Sequence, residues 1–171
     1  MEPSYIITFI GDDRPGLVEE LAKVIESNGG NWLESRLSQL GGKFAGLISI
    51  SLPSQAGARL ESGLSALSSS GLSVRVTATG TEAIPASGTD IILSIIGPDR
   101  IGIVREISHA LAQRQVNVLK MNSEVSHAPM SAEPIFKAHI EARIPADTNL
   151  EDLRDALDET ADQMTLDIDL E

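Results

Sequence analysis

Residues Ile10–Val18 read IGDDRPGLV, and residues Ile96–Val104, 86 positions later, read IGPDRIGIV. Each stretch lies between an apolar run and a segment whose apolar residues recur at helical spacing. A near-repeat in equivalent settings points to a duplicated unit, and a repeat overlooked at the start distorts every later assignment. Aligning Gly11 on Gly97 keeps a constant offset through Leu33 on Leu119, with identical Gly, Asp, Arg, Gly, Val, Glu, Asn and Leu residues along the way. Beyond that window Phe44 falls on Phe136 and Pro53 on Pro145, now six residues further apart. The extra residues sit around Ser126–Pro134, SHAPMSAEP, as a longer hairpin loop in the second copy. An insertion confined to a turn leaves the register of helices and strands intact, as expected for a tolerated change in a duplicated domain.

Working outward from the motif, Tyr5–Ile10 is an apolar run with one Thr and predicts a central strand covered on both faces. Gly16 opens a helix with Leu17, Val18, Leu21, Val24 and Ile25 on one side and Glu19, Glu20, Lys23 and Glu26 on the other, stopped by Asn28-Gly29-Gly30. Asn31–Leu40 reads as a second strand, Gly41-Gly42 as a tight turn, and Ile48, Ile50 and Leu52 alternate with serines in the return strand. Leu60, Leu64 and Leu67 mark a second helix, and Leu72, Val74 and Val76 a fourth strand. The same order returns as strand Ile91–Ile96, helix Gly102–Arg114, strands Asn117–Val125 and Ile135–Ile144, helix Leu150–Asp162 and strand Thr165–Leu170. Thr148 and Glu151 predict a capping box on that last helix.

Each half is therefore a β-α-β-β-α-β unit of the α+β class. Right-handed crossovers make it ferredoxin-like, an antiparallel four-stranded sheet with strands one and three central and both helices on one face. An apolar first strand predicts that the other face is covered too, by the second unit or in a homodimer. Domain bounds are set at 1–80 and 89–171, with 81–88 as the linker inside Gly80–Gly88, GTEAIPASG.

Composition narrows the function. Hydrophobic residues make up 42% and charged residues 22%, which is globular, and cysteine is absent, so neither disulfides nor thiolate chemistry is available. The N-terminal MEPSYIITFIGDD lacks the basic start and the long apolar run of a signal peptide or membrane span, so a cytoplasmic protein without membrane contact is expected. Net charge is −12, from 13 basic and 25 acidic residues, and the bases are scattered singly. Direct nucleic-acid binding needs clustered Lys and Arg and is not expected. The acidic stretch from Glu151 to Glu171 would repel DNA and anionic membranes and could draw a basic protein partner, although a solvated face is the simpler reading.

The repeated turn sits where a strand ends and a helix begins. Gly11 and Gly97 permit a positive φ or close backbone approach, and Gly16 and Gly102 clear the first helical turn, with Leu17 and Ile103 following them. The free amides there carry partial positive charge and suit a carboxylate or phosphate. Asp13 and Asp99 are candidate caps of the same helix starts, which would account for the motif without a ligand. Asp12, Arg14 and Arg100 complete the charged part of the turn. Asn31 and Asn117 each follow their Arg by 17 residues and open the second strand, and a carboxamide offers both a donor and an acceptor to a zwitterion. Amides for the carboxylate, with the Asn oxygen or a loop carbonyl for the ammonium, would make one pocket for a small amino acid.

GDDRPGLV with Asn31 and GPDRIGIV with Asn117 resemble the ACT domains, in which a turn of this type and an Asn opening strand two recur. The resemblance covers nearly the whole chain. Two tandem ACT domains without an attached enzyme resemble the glycine cleavage system transcriptional repressor group, and GGNWLESRLSQLGGKFAGLISISLP adds to it. The resemblance implies a non-catalytic amino-acid sensor whose ligand sits between ACT units. It further implies glycine as effector and a DNA-binding activator of the LysR type as partner, with an ACT sensor of another pathway as the alternative. The second copy departs from the first at Ile101 in place of Pro15 and Val116 in place of Gly30, so the two sites need not both bind.

Other constellations are weaker. The motif lacks the Lys-Ser/Thr ending of a phosphate-gripping loop, and no G-x-S-x-G elbow occurs. His109, His127 and His139 have no partner at ligand spacing, so no metal and no cofactor are expected. One enzyme reading remains, an acylphosphatase-like clamp of Arg14 and Asn31 on phosphate, opposed by the repulsion from Asp12 and Asp13.

Overall fold

In the computed structural model, residues 4–79 and 87–171 are described. They form two compact units that divide between residues 84 and 85. Residues 81–86 of the expected linker lie outside the described residues.

Unit 1 runs β1 Ser4–Asp12, α1 Leu17–Ser27, β2 Asn31–Leu40, β3 Lys43–Ser51, α2 Gly57–Ala66 and β4 Ser73–Ala78, with a short 3-10 turn at Leu67–Ser70. Unit 2 runs β5 Thr89–Pro98, α3 Ile103–Ala112, β6 Asn117–His127, β7 Pro134–Ile144, α4 Leu150–Met164 and β8 Asp167–Leu170. Both sheets are antiparallel and four-stranded, ordered β2-β3-β1-β4 and β6-β7-β5-β8, so the first and third strands of each unit are central. These are two ferredoxin-like units, as the element order predicts.

The core of each unit lies between its sheet and its two helices. Ile7, Phe9, Leu17, Leu21, Ile25, Ile48, Leu60 and Leu64 fill the first. Leu93, Ile95, Ile103, Ile107, Leu111, Ile140, Leu153 and Leu157 fill the second, with α1 and α3 contributing the same helical stripe in both. Phe9 and Phe44 meet at a ring separation of 5.7 Å, and Trp32 packs at the margin of the first core. The first strands are less completely covered than their composition predicts: Ile10 is 49% and Ile96 45% exposed on the face away from the helices.

Turn chemistry follows the glycines where backbone geometry demands them. Gly41 and Gly42, both at positive φ (58° and 78°), close the two-residue β2–β3 hairpin. Leu33 and Leu119 sit at equivalent register breaks in β2 and β6. Two local expectations shift. Asn149, extended at ψ 111°, caps α4 in place of Thr148 and accepts from the amides of Glu151 (3.0 Å) and Asp152 (3.5 Å). The helix then continues two residues beyond Asp162, and β8 begins at Asp167 instead of Thr165.

Candidate functional site: two uncapped helix starts

The repeated turn does place a helix start after each first strand, but neither Asp caps it. Gly16 (φ 90°) and Gly102 (φ 99°) are the N-cap residues of α1 and α3, and among the described residues no side chain bonds to either helix start. The left-handed backbone there strains any residue with a Cβ, although a Cβ at either position would meet nothing within 4 Å. The first helical bonds run from Glu20 N–H to Gly16 O (2.9 Å) and from Glu106 N–H to Gly102 O (3.0 Å), so the preceding amides have no acceptor within the helix. Leu17 and Ile103 are buried, which leaves only their backbone amides to face a ligand. Asp13 and Asp99 instead anchor the turn through their own N–H groups, on Gly42 O (3.0 Å) and Pro134 O (2.9 Å). That tethers the motif to the neighbouring hairpin and leaves both carboxylates exposed.

The charged side chains differ between copies. Arg14 donates twice to Glu20, from Nη1 to Oε1 at 2.7 Å and Nη2 to Oε2 at 2.9 Å. These bonds hold the Glu20 carboxyl below the ordinary glutamate range and raise the guanidinium. Asp12 pairs with Lys43 across the end of the β1–β3 ladder, and the hydrogen bond lowers its carboxyl as well. In unit 2 the corresponding ladder position joins Pro98 to Ile135, Glu106 pairs with Arg105 at 2.6 Å, and Arg100 is exposed without a partner among the described residues. The Arg14–Glu20 clamp escaped the sequence reading because it spans six residues and depends on the chain doubling back over the first helical turn. A usable signal existed: Glu19 in the first copy is Arg105 in the second, which supplies Glu106 with a nearer partner.

Asn31 and Asn117 overturn the single-pocket expectation. Asn31 pairs with Ser51, and Ser51 with Ser4 at the beginning of β1, whereas the motif follows the far end of that strand. Asn117 pairs with Arg143, and Arg143 with Asp90, likewise at the beginning of β5. Seven strand residues at about 3.3 Å each separate Ser4 from Gly11 and Asp90 from Gly97, so roughly 23 Å of strand lies between the level of the carboxamide and the motif in each unit. The physical reason is the strand order: β3 or β7 intervenes, and the second strand starts at the opposite end of the sheet from the motif. The same distance removes the acylphosphatase-like clamp of Arg14 and Asn31. Both carboxamides are exposed and make no hydrogen bond among the described residues.

Two ACT-domain family models match the chain, one over residues 4–77 and the other over residues 91–158. The chain belongs to the ACT-domain family. Each match falls within one ferredoxin-like unit of the structure. A solved structure of an unknown protein from Galdieria sulphuraria is 25% identical and superposes with a TM-score of 0.84, covering 100% of this chain and 98% of its own. A second, provisionally assigned as a glycine cleavage system transcriptional repressor, is 22% identical with a TM-score of 0.73, covering 100% of this chain and 97% of its own. No curated protein matches. Among the described residues no group of His, Asp and Glu is arranged to hold a metal, and no helix is long and apolar enough to cross a membrane.

Proposed function

We propose that this tandem ACT protein is a non-catalytic transcriptional regulator of the glycine cleavage repressor kind, responding to glycine and acting in the cytoplasm by contact with a LysR-type activator. The observation that carries the reading is the pair of ACT units, each offering a helix start that, among the described residues, no side chain of its own caps. A ligand carboxylate would accept from the amides of Gly16 and Leu17, or of Gly102 and Ile103. Asp12, Asp13 and Arg14, or Asp99 and Arg100, would border it. Because about 23 Å of strand lies between the motif and the level of the Asn within a unit, the ammonium partner must come from elsewhere. In our reading Asn31 or Asn117 of a second chain supplies it, which makes the homodimer part of the site. The domain bounds 1–80 and 89–171, joined by 81–88, belong to the same proposal. A net charge of −12 favours a protein partner over a phosphate backbone.

Calorimetric titration of the full chain with glycine, beside light-scattering mass, tests this. Expected are a dimer mass, saturable binding, and about tenfold or greater weakening in the Asn31→Ala, Asn117→Ala double variant, as for loss of a charge-assisted partner. Mixing that variant with a Gly16→Val, Gly102→Val chain should restore part of the binding. Undiminished glycine binding by the double variant would refute the site.

A further inference from the structure

The hairpin insertion that distinguishes the second half builds one wall of a cleft of about 640 Å³ in unit 2. Ser126 to Pro129 form that wall, Ile96, Ile135 and Leu166 supply an apolar floor, and the charges present are Lys137, Asp162 and Asp167. The cleft meets the repeated motif only at its first two residues, Ile96 and Gly97, and includes neither Gly102 nor Asn117, so it is separate from the helix-start site. Among the described residues, the side chains of Lys137, Asp162 and Asp167 have no hydrogen bond or ion pair. Lys137 and Asp167 flank Ile96 as its direct neighbours in β7 and β8.

Unit 1 supplies the control. Its β2–β3 turn is two glycines and cannot make the wall. In the ladder, Ile10 stands between Ala45 and Ser73 where Ile96 stands between Lys137 and Asp167. Gly11 packs on Gly71 and Leu72 as Gly97 does on Thr165 and Leu166, which also sets Ser68 opposite Asp162 in the alignment. The wall and all three charges therefore belong to the second copy alone. A cleft of this size lies in the range of sites for organic molecules much larger than glycine.

We propose that this cleft binds a small molecule with an apolar body and an ammonium head, the ammonium held by Asp162 and Asp167. A carboxylate on the same molecule, if present, engages Lys137. Two acids against one base make the ammonium the required group and the carboxylate an added one. The proposal stands independently of the glycine reading.

Calorimetry on the full chain with phenethylamine, phenylalanine and 3-phenylpropionate is the test. The first two should bind saturably and the third should not. Asp162→Asn with Asp167→Asn should weaken both by about tenfold or more, Lys137→Met should weaken phenylalanine only, and Ala128→Trp should block the cleft without touching a charge. Asn117→Ala should leave all three results unchanged. Absence of saturation with both ammonium probes, binding indifferent to the two Asp changes, or equal binding of 3-phenylpropionate would overturn the proposal. Loss of phenethylamine binding in Asn117→Ala would also overturn it, by moving the ligand to the other site. Loss of glycine binding alone in that variant would leave it intact.

Discussion

The two ACT units share a fold and a core pattern but place their cross-strand ion pairs at opposite ends of their sheets. Unit 1 clamps the motif end, where Arg14 grips Glu20 and Asp12 meets Lys43. Unit 2 leaves Arg100 without a partner among the described residues at its motif end. Its cross-strand pairs sit toward the other end, Arg143 with Asp90 (2.6 and 2.9 Å) and Lys120 with Glu141 (2.9 Å). Duplication thus preserved what the backbone requires, the two glycines and the apolar stripe, while surface charge was free to move. A bidentate pair holds a turn in one conformation, so the first motif is braced from within and the second lacks that brace.

This contrast can be attacked at several depths. The largest effect should come from the matched core positions Leu21 and Ile107, both buried. Alanine at either should cost about 2–5 kcal/mol. Hydrogen exchange should show the lost protection in residues 4–79 for the first and 87–171 for the second; equal loss in both units would mean that their cores are not separate. Next come the tight glycines. A Cβ on Gly97 would lie 2.8 Å from the Thr165 carbonyl oxygen, a backbone atom, whereas on Gly11 its 2.8 Å neighbour is the movable Leu72 side chain. Gly97→Ala should therefore destabilise by about 1–3 kcal/mol and more than Gly11→Ala in denaturant melts. The reverse order would contradict the register.

Gly16→Ala and Gly102→Ala should each cost about 1–2 kcal/mol, from left-handed strain without any clash. Here the two units should agree, and a clear inequality would show that one helix start is not as drawn. The smallest effects concern protons. Hydrogen bonds from Arg14 to Glu20 and from Arg143 to Asp90 lower both carboxyls. The folded chain then binds these protons less readily than the unfolded one, so each contribution to stability is complete above the ordinary carboxylate range and is lost as pH falls through the lowered folded value. Arg14→Ala should move the NMR inflection of Glu20 upward and leave Asp90 alone, and Arg143→Ala should do the converse. Both carboxyls moving in either variant would undo the separation of the two clamps.

Much of this was legible in the chain. Apolar spacing located the elements because burial on one face imposes a period of 3.6 on helices and 2 on strands. It misplaced local details where polar side chains compete for the same amide, as Asn149 and Thr148 do at α4. Asn31 and Asn117 were rightly found at strand starts, yet their distance from the motif follows only from which strands pair and in which direction. In the sequence Ser126–Pro134 is a tolerated hairpin insertion, and its part in lining a cleft depends on α4 ending beside it.

By itself, then, the amino-acid order settled the duplication, the β-α-β-β-α-β sequence of each half and the glycine-marked helix starts, all of which rest on neighbours within a few residues. Tertiary structure alone decided that Arg14 answers to Glu20, that each Asn lies a sheet's length from its motif, and that one half encloses a charged cleft. Those outcomes depend on register between distant segments, where pairing one strand with another, and not local spacing, sets which side chains meet.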